Sequence, residues 1–567
     1  MKLDVKSSSY RRVILILISL LVCTGTALKP LESSESKYFP IAKNIELLGD
    51  VYRGVSENYV DGIDTAEFMY AGIDGMLETL DLYTVFLDEK ESVELGELTS
   101  GQYAGIGVRI SEIAGDVYIV SVFDDTPASK AGLRVGDRIV KVDRHIVEGK
   151  ELDEVKNFIK GPARSQVTLS IERYGQKKKS RFRLTRREVR VNSIRYAGLF
   201  GTVGYFEMDT FGNRSADELS RAINDMHAVS RIRNQPMNAV ILDLRNNPGG
   251  LLGVAVDVTG LFVDKGSRVV STMGRDPESK IRYQTTRAPA LEELPLAVLI
   301  NQNSASASEI VAGAIQELDR GVVIGNRSFG KGLVQSVISL PYDCTLKLTT
   351  AKYYTPSGRL IQKEHGWTGG VREVLEREDE QENKKIFYTR NKRKVYGGGG
   401  ILPDIRIEGD KVSGYEAALR KEGMLFRYAN KYRASNDRLP EVGIDRKSLM
   451  QDFERFVKNE GFTYKTEPEV LLEEVKKSLE EDHEKASKKT SGKIDALIAS
   501  LENEMKLLAA KRMSSESEAI ARALEQEIMR HFDEDAARRS SIERDPVVKK
   551  ALAVLQDSKR YRKILSP

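Results

Sequence analysis

Between about Val189 and Ile407 the chain alternates short, wholly apolar runs with segments of helical periodicity, and few folds tolerate that order. Val203-Gly204-Tyr205-Phe206, Ala239-Val240-Ile241-Leu242-Asp243-Leu244 and Leu296-Ala297-Val298-Leu299-Ile300 are nearly continuous in hydropathy. A strand that is apolar on both faces must be covered on both faces, as in a sheet flanked by helices. Val322-Val323-Ile324-Gly325 and Leu346-Lys347-Leu348-Thr349-Thr350 read as further strands of the same sheet.

The run Leu296 to Ile300 ends in Asn303-Ser304-Ala305-Ser306-Ala307-Ser308-Glu309, and Ile310, Val311, Ala314, Ile315 and Leu318 then recur at helical spacing. A hydroxyl at that handover sits beside the unpaired N–H groups of a helix start, where the helix dipole favours developing negative charge. Ser306-x-x-Glu309 also fits a capping box, and the two roles are compatible because both put Ser306 at the helix start. Ser304 and Ser308 are alternative nucleophiles. Downstream, Gly330-Lys331-Gly332 offers a lysine that could take a serine proton.

Gly325 to Gly332 nearly matches the phosphate-binding G-x-x-x-x-G-K-[S/T] pattern. Gly332 stands where the magnesium-binding hydroxyl belongs. The following Leu333-Val334-Gln335-Ser336-Val337-Ile338 is strand-like rather than helical, so a nucleotide site is not expected.

Charge excludes other classes. The 567 residues carry 88 basic and 84 acidic side chains, a formal net charge of +4, with no basic stripe interleaved with aromatics, so no nucleic-acid partner is expected. Cys23 and Cys344 alone cannot build a disulfide framework or a cysteine-rich metal site. Five histidines without an H-E-x-x-H motif argue against zinc peptidase chemistry and weaken a Ser-His-Asp triad. No metal or organic cofactor is expected.

Lys2, Lys6, Arg11 and Arg12 precede the apolar run Val13 to Cys23, and Gly25-Thr26-Ala27 resembles a small-x-small cleavage site. Residues 1–27 read as an export signal or a membrane anchor, the run being short for a bilayer span. The expected location is the periplasm or cell envelope, with inner-membrane anchoring as the uncleaved case. Residues 36–98 have helical periodicity. Beyond Gly409 the chain is charged and helical. There Ile494, Ile498, Leu501, Met505 and Leu508 form a short heptad-like stripe, read as intrachain packing or homo-oligomerisation.

Residues 100–188 read as short strands around a helix at Leu152 to Ile159. Thr126-Pro127-Ala128-Ser129-Lys130-Ala131-Gly132-Leu133-Arg134-Val135-Gly136-Asp137 closely resembles a PDZ signature, with Gly105-Ile106-Gly107-Val108 in the place of the carboxylate-binding loop. Such loops present backbone N–H groups to a peptide's terminal carboxylate while the peptide adds a strand to the sheet edge.

With these motifs, Leu242-Asp243-Leu244-Arg245-Asn246-Asn247-Pro248-Gly249-Gly250, Phe329-Gly330-Lys331-Gly332-Leu333-Val334-Gln335, Tyr353-Tyr354-Thr355-Pro356-Ser357-Gly358-Arg359 and Gly399-Gly400-Ile401-Leu402-Pro403-Asp404-Ile405 complete a set that resembles the carboxyl-terminal processing, or tail-specific, proteases over roughly residues 36–407. The resemblance implies a multidomain α/β and β fold: a helical unit at 36–98, a PDZ domain at 100–188, an α/β core of the crotonase/ClpP-like kind at 189–408, and a helical extension at 410–567. It makes Ser306 the nucleophile, Lys331 the base and Gln335 its support. Ala307 and either Gly249 or Gly250 become the oxyanion donors.

Phe329, Leu333 and Val334 are expected to surround the lysine and depress its pKa. Lys160-Gly161-Pro162 departs from relatives that place an arginine before the glycine, and the charged stretch Lys363 to Lys394 reads as an insertion or mobile loop. The expected function is an ATP-independent serine endopeptidase acting on proteins with free C-terminal tails, with a regulatory adaptor as a further partner. The alternative is an inactive PDZ scaffold or chaperone-like binder of C-termini, although such a protein needs neither Ser306 nor Lys331.

Overall fold

The computed structural model describes residues 35–291, 293–363, 365–368, 371–374, 385–409, 412–440, 443–483 and 488–567. The signal or anchor expected at 1–27 lies outside the described residues. Among those described, no helix is long and apolar enough to cross a membrane.

The described residues form two compact units that divide between Phe86 and Leu87. The first contains α1 (Glu35–Asn58) and α2 (Thr65–Leu77). Asp64 caps α2 by accepting the N–H groups of Ala66 and Glu67 at 2.9 and 3.1 Å, and Tyr52 stacks on Phe68. A short strand, β1 (Val85–Leu87), interrupts the helical stretch expected over 36–98. The larger unit then opens with α3 (Glu89–Ser100), started by an Asp88/Glu91 capping box.

The PDZ domain enters on β2 (Gln102–Gly105) and leaves on β9 (Arg187–Arg190), which pair antiparallel. Between them lie β3 (Val108–Ile113), β4 (Asp116–Val122), α4 (Pro127–Lys130), β5 (Arg138–Val142), β6 (His145–Ile146), α5 (Leu152–Ile159), β7 (Gln166–Glu172) and β8 (Ser180–Thr185). The strand order is β3-β4-β5-β7-β8, with β6 on β5, so β3 is an edge strand.

The α/β core is a six-stranded sheet: β10 (Ile194–Phe200), β11 (Val203–Met208), β12 (Ala239–Asp243), β15 (Leu296–Ile300), β16 (Val322–Gly325) and β23 (Ile405–Arg406), in that order. Only the β10–β11 pair is antiparallel. Alternate residues of the apolar runs serve opposite faces. Phe206, Val240, Leu242, Val298 and Ile300 pack with α6 (Ser215–Ile232), α7 (Leu252–Thr259) and α8 (Ala307–Glu317). Tyr205, Ile241, Ala297, Leu299 and Ile324 face the other way, where the final helices cover them.

Leu346–Thr350 does not extend this sheet, contrary to the sequence reading. It belongs to β18 (Thr345–Tyr354), which pairs with β13 (Arg268–Met273) and β17 (Leu333–Ser339) in a separate antiparallel sheet that also holds β14 (Ile281–Gln284). Its alternating Leu-Lys-Leu-Thr pattern suits a half-buried antiparallel strand, not one buried on both faces. Within Lys363 to Lys394, β19 (His365–Thr368) pairs with β20 (Val371–Val374), and β21 (Ile386–Tyr388) pairs with β22 (Lys394–Tyr396). Arg393 ties the second hairpin to Asp319 and Asp404 at 2.6 Å each, so this end of the expected insertion is anchored on the core.

The C-terminal helices α9 (Gly414–Lys421), α10 (Met424–Ser435), α11 (Arg446–Asn459) and α14 (Ser517–Phe532) share one apolar cluster. Before α14, α12 (Glu467–His483) and α13 (Lys488–Ser515) form a helical pair. The expected stripe on α13 is partly covered, with Leu501 and Leu508 exposed. The helices α15 (Glu534–Arg544), α16 (Pro546–Gln556) and α17 (Ser558–Ile564) pack on the core sheet itself.

The C-terminal helices also meet the PDZ domain, through Phe426 on α10 and Glu534 on α15. Tyr118 packs edge-on against Phe426, and Ser121 donates to Glu534 at 2.9 Å. Phe426 in turn contacts His531, a buried imidazole whose pKa burial lowers to about 3, with Arg530 and Arg433 adding to the effect and the Glu527 carbonyl opposing it. His531 therefore stays neutral in the folded chain where the unfolded chain takes up a proton. Its contribution is complete above about pH 6.5 and is lost as pH falls toward about 3. Between about pH 7 and 4.5 this one group is expected to remove about 3 kcal/mol of stability. Denaturant titrations of parent and His531→Gln at both pH values check this; equal pH slopes would refute it.

Candidate active site

Three serines compete at the start of α8, and burial separates them. Ser304 is buried and donates to the Leu244 carbonyl at 2.8 Å, while Ser308 is buried and donates to the Asn247 carbonyl at 2.9 Å. Both hydroxyls are committed to structure. Ser306 alone of the three is partly accessible. It precedes the helix with φ +54° and ψ −112°, a conformation that side-chain-bearing residues rarely adopt and that the surroundings must enforce.

The Asn247-Pro248-Gly249-Gly250 turn packs against this serine. A Cβ at Gly249 would lie 2.8 Å from Ser306 Cβ and 2.9 Å from Ala307 N, so only glycine permits the approach. Gly250 is pressed instead against the Phe211 backbone. Buried Asn247 holds the turn: its amide donates to the Met208 carbonyl at 2.7 Å, and its Oδ1 accepts the Gly249 N–H at 2.9 Å. Upstream, Asp243 accepts from Tyr205 at 2.6 Å and from Nε and Nη2 of Arg245, whose Nη1 reaches Asp545 at the start of α16 at 2.7 Å.

Glu309 does more than cap. One of its oxygens, Oε2, accepts the N–H of Ser306 and the N–H of Lys331, each at 2.9 Å. The other, Oε1, accepts Ser328 Oγ at 2.6 Å and the Gly330 N–H at 2.7 Å. Burial pushes its pKa up to about 7, against the pull of these four donors. Tyr353, also buried, places its hydroxyl between the Ser306 carbonyl, at 3.2 Å, and the Lys331 carbonyl. The sequence marked Glu309 only as a cap and left Tyr353 within a motif; its S-x-x-E spacing was the one available signal.

The lysine loop is pinned from other sides too. Phe329 N donates to the Ser304 carbonyl at 3.0 Å, and Ser328 Oγ accepts the Ile401 N–H at 2.6 Å, drawing in the Gly400-Ile401 turn. At the far end of α8, Glu317 and Arg359 form a wholly buried pair at 2.5 Å, and Gln316 accepts from the same guanidinium. The T-P-S-G-R motif thus anchors the helix that begins after Ser306.

Phe329 does not fill the apolar role expected of it, being 41% exposed. The main chain around it is held on the Ser304 side and the side chain is left outward. Leu333 and Val334 are half-buried. Gln335 lies on β17, where its amide donates to Thr349 Oγ1 on the neighbouring β18 at 3.4 Å. His145 and His531 lie in the PDZ domain and helical cluster respectively, and His227 lies on α6.

In the PDZ domain, Gly105 ends β2, Ile106 and Gly107 form the loop, and Val108 begins β3. The Ile106 and Gly107 carbonyls accept the N–H groups of Ala128 and Phe123 at 2.9 and 3.0 Å, so the loop is tied to the A-G-L-R-V-G-D segment's side of the domain. Gly107 has φ +84°, and a Cβ there would strike Thr126 at 2.3 Å. Among the described residues β3 ends the strand order of its sheet, with α5 packed beside it. Lys160, at the end of α5, pairs with Glu97 at 2.5 Å. Behind Gly161 the guanidinium of Arg186 donates to the Phe158, Ile159 and Gln166 carbonyls, so an arginine from another segment closes this helix end.

Three family profiles match in chain order: PDZ domain over residues 118–173, peptidase family S41 over 202–372, and probable PDZ-protease C-terminal helical domain over 415–555. A carboxy-terminal-processing protease of Bartonella bacilliformis is 38% identical over 320 residues, covering 56% of this chain and 73% of that one. A probable CtpA-like serine protease of Staphylococcus aureus is 32% identical over 320 residues, covering 56% of this chain and 62% of that one. Among solved structures, the photosystem II D1 C-terminal processing protease is 27% identical, with 63% of this chain and 91% of that chain covered and a TM-score of 0.34.

Proposed function

From the premise that this chain belongs to the carboxy-terminal-processing proteases, a family of serine-type peptidases, we propose that it cleaves exported proteins inward of unstructured C-terminal tails captured by its PDZ domain, using a Ser306–Lys331 dyad. The observation that carries this reading is the single Glu309 oxygen shared by the N–H groups of Ser306 and Lys331, at the only partly accessible serine of the run.

The chemistry follows from the residue types. Neutral Lys331 takes the Ser306 hydroxyl proton as Oγ bonds the scissile carbonyl carbon. The resulting oxyanion is met by the Ala307 N–H and by the Gly249-Gly250 turn, which stands against the serine. As the C–N bond breaks, the lysine ammonium returns the proton to the departing amine, leaving an acyl ester on Ser306. Water then attacks the ester, giving its proton to Lys331, and release of the new carboxyl-terminus regenerates the hydroxyl. Gln335 supports the lysine without adding charge. Gly105, Ile106, Gly107 and Val108 receive the substrate's terminal carboxylate while its chain lines the β3 edge.

Export is proposed from the basic and apolar segment before Ala27. The exposed leucines of α13 form the surface for homo-oligomerisation, and a regulatory adaptor is a further partner.

An unfolded substrate with a free C-terminus should be cut, and the same chain with an amidated C-terminus should be cut about tenfold more slowly at limiting concentration, since one charge-assisted anchor is lost. A fluorophosphonate probe should add to Ser306 alone, read by peptide mass spectrometry. Equal cleavage of free and amidated tails would remove the PDZ part of the proposal. An adduct elsewhere would remove the nucleophile.

A further inference from the structure

We propose that Glu309 and Tyr353 are positioning residues that lock the nucleophile and the base into one rigid backbone unit. This inference rests on the Ser306–Lys331 reading. Ser306 and Lys331 come from different elements, a helix start and a loop after β16, and the main chains of both are held by the same two side chains. Glu309 Oε2 takes the N–H of each at 2.9 Å. The Tyr353 hydroxyl faces the carbonyl of each. Each dyad residue is therefore gripped at its own N–H and at its own carbonyl, and the grips are common to both.

The arrangement has a mechanical consequence. Glu309 belongs to α8 and Tyr353 to β18, so the unit is clamped between the core's helix layer and the second sheet. The strained φ of Ser306 needs such enforcement, because nothing local favours it. Proton transfer between a serine and a lysine depends on sub-ångström placement, and a displacement of about 1 Å costs on the order of a hundredfold in rate. A phenol has one proton for two carbonyls, so its bond is shared, and removing the oxygen loosens both residues at once.

The test is steady-state kinetics of the full chain on an unfolded, tail-bearing substrate. Tyr353→Phe removes one oxygen and no ring volume. It should lower kcat about tenfold to a hundredfold, leave KM within about twofold, and keep the cooperative melt near that of the parent. Glu309→Gln keeps an amide oxygen that can still serve Ser306 and Lys331, and should retain more activity than Glu309→Ala. The double variant Tyr353→Phe with Glu309→Gln should lose less than the product of the single losses, because both act on the same two peptide units.

Parent-like kcat in Tyr353→Phe overturns the proposal. So does a fall in kcat matched by an equal rise in KM and a lowered melt, which marks general loosening. Ser306→Ala and Lys331→Ala, run beside these, separate the two readings. If they retain turnover, the dyad is wrong; if they are dead while Tyr353→Phe is normal, only the brace is wrong.

Discussion

Removal of residues 534–567 is expected to leave no natively folded protease. These residues form α15, α16 and α17, and Ile542, Val547, Val548, Val554, Leu555 and Tyr561 are buried against one face of the core sheet. Burying a large apolar side chain contributes about 1.5–3 kcal/mol, so their loss removes about 10 kcal/mol or more, comparable with the whole stability of a typical domain. Polar anchors go with them. Arg538 pairs with Glu207, Arg245 loses Asp545, and the Tyr561 hydroxyl no longer meets the Leu296 main chain. The uncovered strands would present Tyr205, Ile241, Leu299 and Ile324 to water, an apolar face prone to association. The measurement is near-UV circular dichroism and calorimetry of the truncated chain beside the parent. A native-like spectrum with a single cooperative melt would show that the final helices are dispensable.

That dependence explains one limit of the sequence. The apolar runs of β11, β12 and β15 announce strands covered on both faces, since all but Glu207 and Asp243, near the strand ends, are apolar or glycine. They do not say what covers the second face. The amphipathic stretch Val547 to Leu555 is legible as a helix, yet its partner lies hundreds of positions earlier and hydropathy carries no address. The helix at Leu152 to Ile159 and the edge position of the PDZ loop were readable because each is specified locally, by periodicity and by a glycine spacing. Leu346–Thr350 was readable as a strand but not as a member of the second sheet, because its pairing with Gln335 and its neighbours depends on a hairpin register.

The site divides the same way. Ser306 at a helix start follows from the strand, turn and helix around it. Glu309 three residues later was equally visible, but its reach was not. Its carboxylate crosses to a loop that follows another strand, and only the folded chain brings Ser328, Gly330 and Lys331 to it. Phe329 was assigned inward from its apolar character. Tertiary placement of its main chain overrode that preference.

Lys331→Arg is expected to lower kcat/KM by about a thousandfold or more, and Lys331→Met by a similar factor. Under the dyad reading the amine must be neutral to accept the Ser306 proton, and a well-placed general base contributes about 10²–10⁴ in rate. Arginine keeps the length and charge but stays protonated at every working pH, so it can bind where lysine binds and still fail as a base. Raising pH separates the causes. Parent activity should climb with the neutral fraction of the amine, and also as Glu309, with its pKa near 7, ionises and offers all four donors an acceptor. The arginine variant can share only the second rise. Its residual activity should therefore level off above about pH 8, and its profile should lack the component that deprotonation of the amine adds to the parent's. Stopped assays of both enzymes from about pH 6 to 10 provide the measurement. Near-parental turnover by Lys331→Arg, or parallel profiles for the two, would mean that another group takes the proton.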